Sequence, residues 1–190
     1  MNKYITDKEF NKLNFKDKPF DKGEYEGCQF IDCDFSNSDF SQIIFSDCEF
    51  SNCNLSMVQL LGTAFRNTSF TDCKMLGLNF ENCNVFGLEI SFENCVLNHC
   101  VFYKLKLKNT NFQNSQLQET DFSECDLTNS NFENCNLKRA TFENTILEKV
   151  NFITAFNFEI DPEINRIKKA KFSKENIMGL LAKYDIIVDV

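Results

Sequence analysis

The chain has 190 residues, a net charge of −8 and 43% hydrophobic residues, with no Trp, two Pro, six Gly, ten Cys and 22 Phe. The length fits a single domain, and no run approaches the roughly 20 apolar residues that a membrane-spanning helix needs. The segment Met1 to Asp7 lacks the apolar stretch of a secretory leader, which predicts a soluble, non-secreted, cytoplasmic protein with no membrane partner.

Residues 1–22 carry six Lys against four acids and read as an N-terminal cap with the first pentads. From Phe10 onward a large apolar residue returns every fifth position, a period that neither an α-helix nor an ordinary strand has. One register runs from Phe30 through Phe35, Phe40, Phe45 and Phe50 to Phe80. A second runs from Phe92 through Leu97, Phe102, Leu107 and Phe112 to Phe152. The two differ by a two-residue slip near 85–92, where Gly87 precedes Leu88 and a bulge or kink is expected. Residues 23–155 therefore form the repeat body.

Each of the ten Cys stands two places before a register residue, where Ser, Thr or Ala stands elsewhere. That slot selects for a small side chain, and buried Cys packs as a small hydrophobe. The rival reading is a thiolate metal site from Cys28, Cys33, Cys48 and Cys53, but these are not the closely spaced pairs of structural zinc. No metal and no cofactor are expected, and free thiols suit a reducing compartment. Asp or Asn recurs two places after the register residue, as at Asp32, Asn52, Asn94 and Asn134, where short polar side chains tolerate a turn.

The fivefold period over residues 20–155 resembles the pentapeptide-repeat family. The resemblance implies an all-β fold, a right-handed quadrilateral β-helix with about 20 residues per coil. Stacking residues 20 apart at ~4.8 Å gives about seven coils and a rod on the order of 34 Å. It also sets Lys104 beside Glu124, Lys106 beside Asp126 and Glu119 beside Arg139.

Residues 23–165 hold 21 acids against 8 basic groups, and residues 23–100 hold eleven acids against Arg66 and Lys74 alone. The uncancelled acids are Glu24, Glu26, Asp32, Asp34, Asp39, Asp47, Glu49, Asp72, Glu81, Glu89 and Glu93. A stiff acidic rod of this density can enter a cationic channel built for DNA, whereas direct nucleic-acid binding is disfavoured because the surface repels phosphate. The plain alternative is a solvated acidic surface that keeps the rod in solution.

After Phe152 the register lapses, and residues 156–190 read as a C-terminal cap. Ser173 offers a helix N-cap, and Ile177, Leu180, Leu181 and Tyr184 fall on one helical face. Ile186, Ile187 and Val188 read as a short terminal strand. A short C-terminal α-helix is thus expected to cover the open coil end or to join a second copy through Ile177, Leu180, Leu181, Tyr184, Ile186 and Val188.

The acidic coil, the Met75-Leu76-Gly77 step and this tail resemble the Qnr-type quinolone-resistance and microcin-immunity branch of the family. The resemblance implies a C-terminal homodimer that mimics DNA and binds DNA gyrase or topoisomerase IV. Long loops interrupt the coil in Qnr members; here only two residues are inserted. The alternative is a non-catalytic adaptor with another protein partner. An enzyme is not expected: His99 is the only His, it points outward, and no phosphate-binding, zinc-protease or serine-elbow motif is present.

Overall fold

The computed structural model describes residues 3–15 and 19–187. Nine short strands appear in chain order: β1 (Lys3–Thr6), β2 (Glu9–Asn11), β3 (Gly23–Glu26), β4 (Gln29–Ile31), β5 (Ile44–Ser46), β6 (Glu49–Ser51), β7 (Ala64–Arg66), β8 (Thr68–Thr71) and β9 (Ile90–Glu93). They pair in parallel into one sheet of order β1-β3-β5-β7 and another of order β2-β4-β6-β8-β9. Beyond β9 single parallel bridges carry the same pairing onward, for example Val101↔Asp121↔Thr141 and Asn111↔Asn131↔Asn151.

The register residues fill the shaft in four columns, so the chain turns through four faces per coil. Face A carries Tyr25, Phe45 and Phe65, and face B carries Phe30, Phe50 and Phe70. Face C carries Phe35, Leu55 and Met75, and face D carries Phe40, Leu60 and Phe80; all of these are buried. The column on face B is an unbroken stack of nine rings from Phe10 to Phe172. Its centroids lie 4.9, 4.5, 5.0, 5.5, 5.3, 4.7, 5.1 and 5.4 Å apart. Nine rungs at ~4.8 Å make a shaft of about 38 Å, longer than the fivefold register alone suggests.

The extra length comes from the C-terminal side. Ile146 bridges Arg166, Asn151 bridges Lys171, and Phe172 stacks on Phe152, so the coil resumes after residue 165 in the original phase. On the turn between, neither of the register positions, Asn157 and Pro162, is buried, and Phe158 and Ile160 fill the core instead.

The small slot also has a bonding role. Cys48 Sγ lies 3.3 Å from the Tyr25 carbonyl one coil below and 3.3 Å from the Ser46 carbonyl. Thr63, Ser130 and Thr145 hydroxyls donate equivalently to Phe40, Leu107 and Phe122 carbonyls at 2.8, 2.7 and 2.9 Å. Where Cys, Ser or Thr fills the slot it can therefore donate to the coil below, while Ala140, Ile43 and Val58 fill it by packing alone. Burial pushes the thiols of Cys48, Cys83, Cys100, Cys125 and Cys135 up to about 12. All ten cysteines are free and buried, so native protein near pH 8 is expected to leave them unlabelled by an alkylating reagent over the time in which denatured protein takes up ten equivalents. Intact mass after timed labelling reads this directly.

The corners explain the Asp and Asn pattern. Every corner named above adopts the left-handed region, including Asp32 (φ 53°), Asn52 (φ 54°), Asn94 (φ 54°) and Asn134 (φ 56°). Asp and Asn tolerate that region better than other residues with a β-carbon. Asn82 is a corner by spacing but lies in a 3₁₀ turn, Phe80–Asn82, just before the slip.

The slip itself is a bulge at the D-to-A corner. Residues pair at an interval of 20 below it and 22 across it, as in Phe70↔Phe92 and Lys74↔Val96, and at 20 again above. Gly87 turns at φ +70°, while Val85 and Phe86 are thrown outward, Phe86 being 78% exposed. Leu88 folds back against the core in place of a full strand. The β1-β3-β5-β7 sheet therefore stops at β7, and face A resumes only at the Lys106↔Asp126 bridge.

The predicted C-terminal α-helix is instead two 3₁₀ turns, Ile177–Leu180 and Ala182–Tyr184. The segment is held by contacts across the coil end. Gly179 accepts from Ile160 N at 2.9 Å across the coil end and lies so close to Phe158 that a β-carbon there would clash with the Phe158 carbonyl, which pins this turn to the shaft. Asn176 plugs the same end, its Nδ2 donating to the carbonyls of Phe152, Ile153 and Ala155. Ile186 and Ile187 form no strand, and Val188 lies outside the described residues. No helix among the described residues is long and apolar enough to cross a membrane.

Candidate interaction surface

Outward positions are those flanking each register residue and the corner after it, so every charge has a face and a rung. Faces A and B adjoin, and their rungs two to five comprise residues 24–32, 44–52, 64–72 and 87–94. Those rungs hold Glu24, Glu26, Asp32, Asp47, Glu49, Asp72, Glu89 and Glu93 against Arg66, eight acids to one base. Among the described residues none of these eight forms an ion pair. Neutral groups bind several of them: Asn52 donates to Asp32, Asn67 donates to Asp47 at 2.6 Å, and the Tyr4 hydroxyl donates to Glu26. Such donors hold the carboxylates in place without cancelling their charge.

The other three acids expected at a binding surface lie elsewhere. Asp34 is on face C, where its Oδ1 accepts from Ser36 N at 2.9 Å. Asp39 and Glu81 are on face D. Asp39 accepts from Ser41 N at 2.8 Å and pairs with Lys22 at 2.7 Å. Burial works against the charged Asp39 carboxyl, but Lys22 and Ser41 hold it below the usual range. Asp34 and Asp39 thus help to make turns, a role that Asn54, Asn79 and Asp121 repeat in the same position. In rung one Asp7 and Glu9 lie on the same faces beside Lys8 and Lys12, so that rung adds no net charge.

Above the slip the charges pair across coils. Lys104 meets Glu124 at 3.6 Å and Arg139 meets Glu119 at 3.5 Å, as the 20-residue stacking predicts. Asp126, however, pairs with Lys108 at 3.1 Å and not with Lys106. Lys106 lies directly below Asp126 in the ladder, and it is Lys108, on the other side of Leu107, whose ammonium meets the carboxylate.

The C-terminal apolar residues divide into two groups. Leu180 packs against the core, and Leu181 is half-buried; Ile177, Tyr184 and Ile186 are 47%, 48% and 50% exposed. Lys183 ties this turn to Asp161 and Glu163 at 2.7 and 2.6 Å, and Tyr184 donates to Glu163 at 2.8 Å. Lys183 lowers both carboxyls below their ordinary values. A lowered carboxylate stabilises the fold above its unfolded value and ceases to do so as pH falls through its folded value. The turn is therefore expected to stay docked at neutral pH and to loosen in acid, with Tyr184 ring resonances moving toward free values below the carboxylate range.

Among the described residues no three His, Cys, Asp or Glu converge in a way that could hold a metal ion. His99 sits at an exposed corner (φ 60°) with Nδ1 3.4 Å from Glu119.

A profile of the pentapeptide repeat region matches residues 23–91 and 79–152, more than half of the sequence. The chain belongs to the pentapeptide-repeat family. No curated protein matches the sequence. Among solved pentapeptide-repeat structures it is similar to full-length QnrB1, a plasmid-mediated fluoroquinolone resistance protein, at 17% identity and a TM-score of 0.60, covering 97% of this chain and 100% of that one. It is also similar to HetL, involved in heterocyst differentiation regulation in the cyanobacterium Nostoc sp. strain PCC 7120, at 13% identity and a TM-score of 0.70, covering 90% and 88%. Likeness at these identities establishes the shared β-helix.

Proposed function

We propose that this pentapeptide-repeat protein is a DNA-mimicking rod that binds a type II topoisomerase, DNA gyrase or topoisomerase IV, and modulates it or protects it from poisons. The observation that carries this reading is the set of eight carboxylates on two adjoining faces over four rungs, opposed by Arg66 alone. Four rungs take up about 19 Å of axis, so the net density is roughly one negative charge per 3 Å. Duplex DNA carries one per ~1.7 Å, which a cationic channel senses in the same way. Resemblance to the Qnr branch supplies the class of partner.

The test is a binding measurement against purified gyrase and topoisomerase IV with a salt titration, alongside supercoiling and decatenation assays. Binding should weaken steeply as salt rises, and replacing Glu24, Glu26, Asp47 and Glu49 with their amides should flatten that dependence. No inhibition at micromolar protein together with no binding at low salt overturns the proposal. A second reading, an adaptor for another protein, draws on the bulge: Val85 and Phe86 are 64% and 78% exposed, an apolar knob that DNA has no counterpart for. Loss of partner capture on Phe86→Ser with topoisomerase inhibition absent would select it.

A further inference from the structure

Faces A and B are acidic below the slip and basic at the far end. Rung nine, residues 166–174, carries Arg166, Lys168, Lys169, Lys171 and Lys174 and no acid. Arg166 pairs with Glu148 of rung eight at 2.6 Å, whereas the four lysines are exposed and, among the described residues, form no ion pair. The clustering is a product of the fold, because Ile146↔Arg166 and Asn151↔Lys171 bridges bring this segment onto the same two faces as Glu24 and Glu26.

Counted rung by rung on these faces, the charge is −3 in rung two (Glu24, Glu26, Asp32) and −2 in rung three (Asp47, Glu49). Rung four is neutral (Arg66, Asp72), and rung five is −2 (Glu89, Glu93). Rung six is +2 (Lys106, Lys108), rung seven is −2 (Asp126, Glu133), rung eight is neutral (Glu148, Lys149) and rung nine is +5. A twofold axis perpendicular to the shaft, placed between rungs five and six, sets rung two against rung nine and rung five against rung six. The remaining pairs, three with eight and four with seven, each include a neutral rung, so no like charges face each other. Moving the axis by half a rung in either direction places charged rung five or rung six against its own copy, and rung seven against acidic rung three or five.

We propose that a second copy of this chain binds faces A and B side by side and antiparallel, about an axis between rungs five and six. In such an isologous contact each favourable pair occurs twice. The axis falls on a groove of about 560 Å³ where face A is interrupted, and Glu89, Lys106 and Lys108 line it. The Glu89 side of one copy meets the Lys106 side of the other there. The pairing stands apart from the topoisomerase reading, and it would cover the acidic faces, so a cationic partner must displace the second copy.

Sedimentation velocity with small-angle scattering tests the contact on the full chain. At about 20 mM salt the protein should dimerise with a maximum dimension close to that of one rod, and at about 0.3 M, where the screening length falls below 10 Å, it should dissociate. Reversing rung nine (K168E, K169E, K171E) or rung two (E24K, E26K, D32K) should weaken the low-salt dimer at least tenfold. Mixing the two variants should restore a heterodimer, because both of its rung-two and rung-nine contacts are then attractive. All six positions are exposed or half-exposed, and unchanged thermal unfolding confirms that the variants fold. A monomer at low salt overturns the proposal, as do a dimer of nearly doubled length, a dimer indifferent to both reversals, or a mixture that stays monomeric. Duplex DNA binding by rung nine in a protein that does not self-associate overturns it as well.

Discussion

Replacing Phe112 with Ala should cost about 3–5 kcal/mol of unfolding free energy, read from denaturant midpoints at constant slope. Phe112 is fully buried and stacks on Phe92 at 5.3 Å and Phe132 at 4.7 Å, with edge contacts to Phe102 and Phe122 at 5.8 and 5.6 Å. Its removal empties the middle of the shaft, where rungs above and below are held by their own backbone ladders and cannot collapse inward. The aromatic contacts add to the loss, since such pairs contribute ~0.5–1.5 kcal/mol beyond burial. Because a solenoid gains stability from neighbouring-rung contacts, the defect should also break cooperativity and let the halves unfold at different denaturant concentrations. Phe172, at the end of the same stack and only half-buried, supplies the control: its replacement by Ala should cost less than half as much with one transition retained. An equal cost at both positions would mean that the rings do not act as a continuous column.

The corners yield the second large effect, with opposite signs at two sites. Asn129 turns at φ 63°, and Asn129→Val should lose about 1–2 kcal/mol, because a β-branched side chain in the left-handed region clashes with its own backbone. Met57 occupies an equivalent corner at φ 60° and is 60% exposed, so it bears the same strain with little packing to offset it. Met57→Asn should therefore gain on the order of 0.5–1 kcal/mol. Thermal denaturation of both variants measures the pair. A stabilised Asn129→Val protein would show that the corner geometry is not what selects Asn and Asp here.

The repeat was legible because one rule holds at each position of the pentad. Phe at the centre, Cys or Thr two before it and Asn or Asp two after it each answer a separate demand of volume, donation and turn. These demands are local, so they leave a local trace. The distribution of charge on the faces was less legible, since it depends on pairing at 22 across the bulge. Counting from Phe30 puts Glu89 and Glu93 in the acidic half but does not say that they share faces with Glu24 and Glu49. Asp34 and Asp39, each one place before a register residue, count with Asp47 among the acids of the sequence, yet they bond to turns on other faces. The tail misled for a different reason: Ile177, Leu180, Leu181 and Tyr184 have helical spacing, but the contacts of Gly179 with Ile160 N and Phe158 are long-range and spacing does not record them. Lys168, Lys169 and Lys171 lie beyond the end of the sequence register, and only the resumed coil places them opposite in sign to rung two on the same surface.

The bulge leaves the shaft at the D-to-A corner and returns to it in phase, so faces B, C and D run past it without interruption. A detour that preserves phase is indifferent to its own length. Peptides grafted between Val85 and Gly87 should thus be carried as cargo on an undisturbed chassis, displayed beside the anionic faces at a fixed height along the rod.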